Sequence, residues 1–509
     1  RRRRQRGHLV SEAAPRSAVV IGGGIGGLSC ACLLAKEGVP TLLLEKKREA
    51  GGTAGGFTHR GLHLELGCNV SGPAGDGRSL GRFLRYFGVA DDVGLEMLPK
   101  EACVHVCSDG ETFPLPAGVE AYTAAVASRF PEDREDILAF GRRVRSILDR
   151  LPLVNLSRYF ELAPDVETKV LLAGDSVADV MGSIRSAKAR RLLALFWRFI
   201  GTTPEDCPLS LYAPEMGAFL EGPCTLRGAD LRAAFVRRLA ALGGRLQTSR
   251  AVTSILVDGK EVKGVRTADG ETLSADLVVS AIHPLRTMEL VDDPLPVRRM
   301  KRRIEQAGET CGTFVAYFTR EEGPAPHPAR PAWTQILAEG DGPARPAADA
   351  VEAGGLDIGF LEARPSGGGP AVCRAIVMID DGVFAPWRDT TTRRRGEAYE
   401  GLKASLASAI RETLERRLPA RAGGLRHLLS VTPLTLRDEL GHRGGGFGVL
   451  RGARRRGLGT CSWKTPVKGL FIGGQSALFP GIMGTLETSF LIGAGVLGEK
   501  HMVGRFGAL

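Results

Sequence analysis

The chain has 509 residues, of which 43% are hydrophobic and 25% charged, and its net charge at pH 7 is +11. A chain of this length is longer than one hydrophobic core usually accommodates, so we expect a folded protein with two or three structural units. The surplus of basic residues is typical of a solvated surface or of a surface attracted to an anionic membrane. No aromatic residues interleave with the basic runs and the ten cysteines lack metal-ligand or redox spacing, so we expect neither a nucleic-acid partner nor a metal site.

Residues 1–16 form a basic segment without an apolar run. An intact secretory signal is therefore not expected here, and the protein is predicted not to be secreted. Because the chain begins at Arg1 and not at Met, we expect a fragment or a processed form. The segment is either the remnant of a basic organelle transit peptide or a frayed tail.

A strand, a glycine loop, a helix and a second strand follow in order. Residues 17–21 are a β-branched run typical of a buried parallel strand. Residues 22–27 read Gly-Gly-Gly-Ile-Gly-Gly, residues 28–36 are rich in Ala and Leu, and residues 39–44 predict the next strand, which ends at Glu45. This order is typical of a dinucleotide-binding fold.

Each part of the loop has a chemical reason. Gly22 permits a tight turn, Gly24 lets the backbone approach a pyrophosphate, and Gly27 lets the helix pack against the strand. Ile25 and Gly26 open the helix, whose N-terminal N–H groups favour phosphate. An acid about twenty residues after the loop, here Glu45 followed by Lys46, accepts the ribose hydroxyls of an adenosine. The loop alone does not choose between NAD and FAD.

The residues after Glu45 narrow that choice. A Gly51-Gly52 pair follows the acid and precedes Thr53, and Leu64-Glu65-Leu66-Gly67 comes next. This pattern resembles the flavin amine oxidase and phytoene desaturase superfamily, with Thr53 where the superfamily often has an arginine that contacts the pyrophosphate. Glu65 stands where the superfamily has Asp.

The middle of the chain continues the resemblance. Residues 230–246 predict a helix that ends at two glycines, and residues 252–257 and 262–266 predict a hairpin around an Asp-Gly turn. Residues 275–284 resemble the strand that returns to the dinucleotide-binding sheet. The resemblance implies that Val252 holds the adenine through its backbone.

The most specific resemblance lies near the C-terminus. Residues 467–475 predict a strand that ends at Gly474 and Gln475, and residues 479–485 precede a helix that is predicted to start near Gly484. This segment is similar to the closing flavin motif of phytoene desaturases, carotenoid isomerases and retinol saturases, which implies FAD as cofactor and contacts from Met483, Gly484 and Thr485. A helix N-terminus here would stabilise the negative charge of a reduced flavin.

The predicted fold class is α/β, with a Rossmann-like FAD-binding domain of the glutathione-reductase type and an inserted α+β substrate domain. The predicted division is a basic tail at 1–16, FAD-binding parts at 17–71, 230–284 and 435–509, a mainly helical substrate or membrane-facing region at 72–229, and a substrate domain at 285–434. Within these, residues 185–201 carry basic residues before apolar bulk. They are either core or a lip that enters a membrane surface.

The predicted function is redox or isomerisation chemistry on a lipophilic polyene, a carotenoid or retinoid, through hydride exchange with the flavin. Residues 322–355, rich in Pro and Gly, predict a flexible insertion. No second dinucleotide motif is visible, because the glycine run 444–446 does not follow a strand and open a helix. Electrons are therefore expected to go to oxygen, a quinone or another partner, or to come from an external reductant. No catalytic residue is assigned, and Glu487 and His442 are candidates only.

Two alternatives stay open at this point. One is an FAD-dependent amine or porphyrinogen oxidase, and the other is a non-catalytic protein of the Rab escort and GDP-dissociation-inhibitor type. The complete glycine loop, Glu45 and Gln475 favour a retained flavin over the second. Carotenoid-related families together with the basic residues 1–16 imply a plastid location, with peripheral contact to a membrane.

Overall fold

The computed structural model describes residues 17–67, 70–75, 77–108, 110–150, 174–320, 333–338, 356–363, 370–452, 462–478 and 480–507. Three features named above lie outside these ranges: the basic tail at 1–16, Phe479 of the closing motif and most of the insertion at 322–355.

The strands are β1 Ala18–Ile21, β2 Thr41–Leu44, β3 Phe57–His59, β4 Leu62–Leu64, β5 Val70–Ser71, β6 Glu96–Met97, β7 Val104–Ser108, β8 Glu111–Leu115, β9 Cys224–Thr225, β10 Arg245–Gln247, β11 Val252–Asp258, β12 Glu261–Thr267, β13 Thr272–Ser274, β14 Leu277–Ser280, β15 Gly312–Arg320, β16 Trp333–Ile336, β17 Ile358–Ala363, β18 Ala371–Ile379, β19 Leu425–Val431 and β20 Leu470–Ile472.

The α-helices of the described residues are α1 Ile25–Lys36, α2 Ser79–Phe87, α3 Val119–Arg129, α4 Arg134–Leu148, α5 Val177–Val180, α6 Ala187–Leu193, α7 Leu209–Leu220, α8 Gly228–Ala241, α9 Pro284–Leu290, α10 Arg298–Ala307, α11 Gly396–Arg417, α12 Pro419–Ala422, α13 Pro433–Leu440, α14 Gly481–Leu497 and α15 Glu499–Gly507.

A five-stranded sheet forms the first layer, in the order β10-β2-β1-β14-β20. Its four pairings are all parallel. Every residue of β1, β2 and β14 is buried, as expected for strands with both faces covered. These strands come from the three segments that the sequence predicts to bind the dinucleotide, and α1 packs against them with ten of its residues buried.

A seven-stranded mixed sheet forms the second layer, in the order β19-β15-β18-β17-β16-β7-β8. The hairpin β7–β8 comes from the segment predicted to be mainly helical, and it joins the sheet because β7 pairs in parallel with β16. Side chains of one face, among them Phe314, Phe360 and Val377, pack on Ile410 and Leu414 of α11. Since side chains alternate along a strand, the intervening residues face the opposite way, into the cavity described below.

Two predicted elements differ from the observed ones in detail. Residues 230–246 comprise α8, which ends at Ala241, and then β10, because Gly243 adopts a φ of +78° that ends the helix. The closing helix α14 begins at Gly481 and not near Gly484. No described helix is both long enough and apolar enough to cross a membrane.

The apolar residues within 185–201 belong to the core. Leu192, Leu193, Phe196, Trp197 and Ile200 are each no more than 2% exposed. The core alternative therefore accounts for these side chains.

Candidate cofactor and substrate site

The phosphate loop begins where β1 ends. The backbone N–H of Gly22 donates to the carbonyl of Leu44 at 2.8 Å, which ties the loop to β2. A Cβ on Gly27 would lie 1.8 Å from the carbonyl oxygen of Gly22, closer than any side chain tolerates. Glycine at this position thus lets α1 start directly against the strand, which is the role predicted for Gly27.

The start of α1 is open to a ligand. The helix follows Gly24, and no side chain of the described residues caps it, so the N–H groups of its first turn are available to an anion. The second glycine pair lies directly opposite, because the backbone N–H of Gly51 donates to the carbonyl of Gly23 at 2.7 Å. A Cβ on Gly52 would be 3.2 Å from Cα of Gly24. The two glycine motifs together form one narrow backbone cradle.

Glu45 lies beside this cradle at the end of β2. Its Oε2 accepts a hydrogen bond from the backbone N–H of Gly23 at 2.7 Å, and its Oε1 accepts one from that of Lys47 at 2.8 Å. A carboxylate has about four acceptor positions, so two remain beyond these contacts. The side chain is buried and still lines the groove, which suits acceptance of ribose hydroxyls.

The closing motif provides the opposite wall. A Cβ on Gly26 would lie 2.7 Å from Cα of Gly474, so the two segments touch through glycine backbone. The hydroxyls of Ser29 on α1 and Ser489 on α14 share a 2.6 Å hydrogen bond. This contact fixes the two helices that frame the groove.

These segments enclose a groove with a volume of about 860 Å³. Twelve of the predicted cofactor residues line it: Gly22, Gly24, Ile25, Gly26, Glu45, Lys46, Gly52, Thr53, Val252, Gly474, Gln475 and Thr485. The other three lie elsewhere. Gly27 packs on Gly22 as described, Met483 lines the adjoining cavity, and the carbonyl of Gly484 accepts a 2.7 Å bond from Thr488 Oγ1 within α14.

Sequence reasoning missed Arg232, which also lines the groove. It belongs to α8, its Nη1 is 2.9 Å from Oε2 of Glu49, and its Cδ lies against the Gly51 turn. An arginine within a helix has no local motif, so only the fold reveals it. It supplies a positive charge on the side of the groove where Thr53 supplies none.

An apolar cavity adjoins the groove. Its floor is the free face of the seven-stranded sheet, and its roof includes Phe199 and Phe219, whose rings stack with centroids 4.0 Å apart. Trp333 meets Phe199 edge-on at 5.3 Å. Groove and cavity share five lining residues, namely Thr53, His442, Gln475, Gly481 and Ile482. The two compartments therefore adjoin at these residues, which form their junction.

Among the described residues, three with an ionisable acid or guanidinium group line the cavity, together with His442. Arg198 forms a buried ion pair with Asp357, and Arg374 donates to the carbonyl of Glu65 at 2.8 Å. Glu215 is 4% exposed, and no described residue pairs with its carboxyl group. Burial raises the pKa of Glu215 well above its ordinary value of 4.5.

His442, a predicted acid–base candidate, lies at the junction. Its Nδ1 is 3.2 Å from the carbonyl oxygen of Gly445, and because a carbonyl only accepts, Nδ1 carries the proton. Burial lowers the pKa of His442 below 6.5, so the ring is neutral and Nε2 keeps a lone pair. The other candidate, Glu487, is fully buried in α14 and lines neither compartment.

The eight described cysteines that are free thiols include seven that are buried. Burial raises the pKa of the Cys30 thiol to about 12, which makes it an inert core residue. Across the part of the chain that the structure describes, no three His, Cys, Asp or Glu side chains gather as metal ligands do.

Residues 25–338 match the family described as flavin containing amine oxidoreductase. The chain belongs to this family. The family description names a flavin, and the glycine cradle, the uncapped start of α1 and Glu45 of the groove suit such a cofactor. The prediction of a flavin-dependent oxidoreductase of the flavin amine oxidase superfamily is therefore confirmed, and the non-catalytic escort alternative is not supported.

The individual proteins that the chain resembles share only a modest fraction of its residues. The chain is 23% identical to "All-trans-retinol 13,14-reductase" of Macaca fascicularis over 94% of this chain and 85% of that protein. It is 26% identical to "Phytoene desaturase (neurosporene-forming)" of Cereibacter sphaeroides over 59% of this chain and 60% of that protein. Cyclohexylamine oxidase from Brevibacterium oxydans superposes with a TM-score of 0.60 at 14% identity, over 96% of this chain and 99% of that chain. The last likeness confirms the predicted fold class.

Proposed function

We propose that this member of the flavin containing amine oxidoreductase family binds FAD and performs redox chemistry on a lipophilic polyene of the retinoid or carotenoid class. The observation that carries the proposal is the apolar cavity that adjoins the cofactor groove at Thr53, His442, Gln475, Gly481 and Ile482. A cofactor in the groove and an apolar substrate in the cavity would meet at this junction.

The described residues fit FAD. The backbone around Gly24 and Gly52 would hold the pyrophosphate, Glu45 the ribose, and Val252 the adenine side of the groove. Gln475 lies at the junction, where its amide group can bind a ribityl hydroxyl. Bound FAD supplies the two-electron step by accepting or returning a hydride. The protein contributes binding, orientation and exclusion of water.

The cavity lining supports a polyene as substrate. Stacked aromatic rings and aliphatic side chains suit a flat, apolar, conjugated chain. The named relatives act on retinol and on a carotenoid precursor. An amine that binds as a cation is disfavoured, because two arginines, Arg198 and Arg374, line the cavity. The one carboxyl group among its described lining residues, Glu215, has a pKa that burial raises well above its ordinary value, which favours the uncharged form.

The experiment is a cofactor and substrate screen of the purified protein. The cofactor released by denaturation should be FAD, and the visible spectrum should be that of a flavoprotein. The holoprotein is then incubated with retinol, phytoene, poly-cis-lycopene and simple amines, with the flavin oxidised and reduced. Turnover of amines alone would refute the polyene assignment, and isomerised product without net redox change would support an isomerase.

Location and electron partner complete the proposal. A plastid site is proposed from the basic residues 1–16 and from the carotenoid-related families that the chain resembles. Peripheral membrane contact is supported by the net charge of +11 and by the tendency of polyenes to partition into lipid. The redox partner is oxygen, a quinone or a separate reductant. Flotation with anionic and neutral vesicles tests the membrane contact, and reoxidation of the reduced flavin by oxygen or quinone tests the partner.

A further inference from the structure

Glu215 occupies an unusual place for a carboxyl group. It is the one charged residue of α7, a helix in which every residue is buried. Ala218 and Phe219, one helical turn further on, line the same cavity. The Glu215 side chain therefore lies on the helix face that forms the cavity wall.

The surroundings of Glu215 differ from those of the other charged residues in the cavity. Arg198 has Asp357 as its counter-ion, and Arg374 has a carbonyl acceptor. Within the described residues, no donor and no cation contacts the carboxyl group of Glu215. An unpaired carboxylate in an apolar cavity is costly, so the group keeps its proton instead of ionising.

Glu215 is also close to the cofactor junction. A Cβ on Gly481 would be 3.9 Å from its Oε1, and Gly481 lines both the groove and the cavity. The carboxyl group thus points into the end of the cavity where a substrate would approach the cofactor.

We propose that Glu215 is the proton donor of this site, and that the site adds hydrogen to a carbon–carbon double bond of a polyene instead of removing it. The proposal rests on the proposed function, and it specifies the direction of the reaction and a catalytic residue.

The reaction adds one hydride and one proton, which together are two electrons and two protons, to the carbon–carbon double bond. The π bond of one C=C unit would break, a bound reduced flavin would supply the hydride for a C–H bond at one carbon, and Glu215 would give its O–H proton to the neighbouring carbon. The alkene would then be reduced, the flavin would be oxidised by two electrons, and the Glu215 carboxylate would be reprotonated by a hydronium ion of the solvent. Removal of hydrogen would need an ionised Glu215, which the cavity disfavours.

The first test reads protonation directly and needs no substrate. Infrared difference spectra of the holoprotein at neutral pH compare wild type with Glu215→Gln, and Glu205→Gln serves as a matched control outside the cavity. We expect the C=O stretching band of a protonated carboxylic acid, sensitive to D2O, in wild type and in Glu205→Gln, and its loss in Glu215→Gln. Absence of a band assignable to Glu215 would overturn the proposal.

The second test follows turnover with reduced flavin and the polyenes named above. We expect Glu215→Gln to saturate the substrate about 100-fold more slowly or worse, with unchanged flavin content and melting temperature, and Glu215→Asp to recover part of the rate. A wild-type rate in Glu215→Gln, or wild-type protein that only desaturates, overturns the role of Glu215 and leaves the polyene assignment standing. Wild-type protein that converts no polyene in either direction overturns both.

Discussion

The backbone N–H of Gly23 donates a 2.7 Å hydrogen bond to Oε2 of Glu45. The acid at the end of β2 therefore shapes the phosphate loop while it faces the groove. A single side chain links the glycine loop to the backbone that follows β2, which makes the loop geometry depend on a residue outside the loop.

The Glu45→Gln variant should bind FAD about 10- to 100-fold more weakly, since a hydrogen bond to a charged group contributes about 1.5–3 kcal/mol. The measurement is the dissociation constant of FAD from the apoprotein, followed by flavin fluorescence. The control is Glu400→Gln, since Glu400 lies on α11 at the surface and pairs with Lys403. Equal FAD affinity in wild type and Glu45→Gln would contradict the double role.

Gly27→Ala should lower the free energy of unfolding by at least about 2 kcal/mol, because its Cβ would overlap the backbone of Gly22. The matched control is Gly401→Ala within α11, where a Cβ meets nothing within 4 Å. That change should raise stability by up to about 1 kcal/mol. Denaturant titration measures both, and similar values for the two variants would show that the loop yields to the added methyl group.

Arg232→Met should weaken FAD binding about tenfold and reduce its dependence on salt, since a cation beside the glycine turn attracts the pyrophosphate. Arg237→Met serves as control, because Arg237 lies on the same helix but pairs with Asp92 at the surface. Binding is measured from low to high ionic strength. An unchanged salt dependence in Arg232→Met would mean that the pyrophosphate does not reach this arginine.

Stability should fall as pH drops below 6.5, partly through His442. Its pKa in the folded protein is lowered by burial, with His283 nearby also lowering it and Glu309 opposing the shift. The unfolded chain then binds the proton first, so the stabilisation is present above the ordinary pKa of 6.5 and is lost as pH falls through the lowered one. The melting temperature of His442→Gln should vary less with pH than that of wild type; parallel curves would exclude this contribution.

The cofactor groove could be predicted because its signals are local. The glycine spacing around Gly24, the acid at Glu45 and the glycines at Gly474 each report a backbone requirement of a few neighbouring residues. Met483, Gly484 and Thr485 were predicted as cofactor contacts from the resemblance alone. Of these, Thr485 lines the groove, whereas Met483 lines the cavity and not the groove.

The cavity could not be predicted in the same way. Its lining combines alternate residues of four strands of the seven-stranded sheet with helix residues far apart in the chain, such as Phe219 of α7 and Leu436 of α13. Glu215 stands in an otherwise apolar helix, where a sequence gives no indication of which face it occupies. The hairpin β7–β8 was missed because its place depends on pairing with β16, more than 200 residues later.

The order of the five-stranded sheet has a consequence for biosynthesis. Its central strand β1 is made first, whereas β20 and the Ser489 partner of Ser29 are made some 450 residues later. While α14 is still inside the ribosome, the nascent chain therefore lacks the groove wall that Gly474 and α14 provide, and the edge of β14 that pairs with β20 is unpaired. We expect flavin capture to mark the completion of folding, and nascent chains stalled before residue 470 to depend on chaperones.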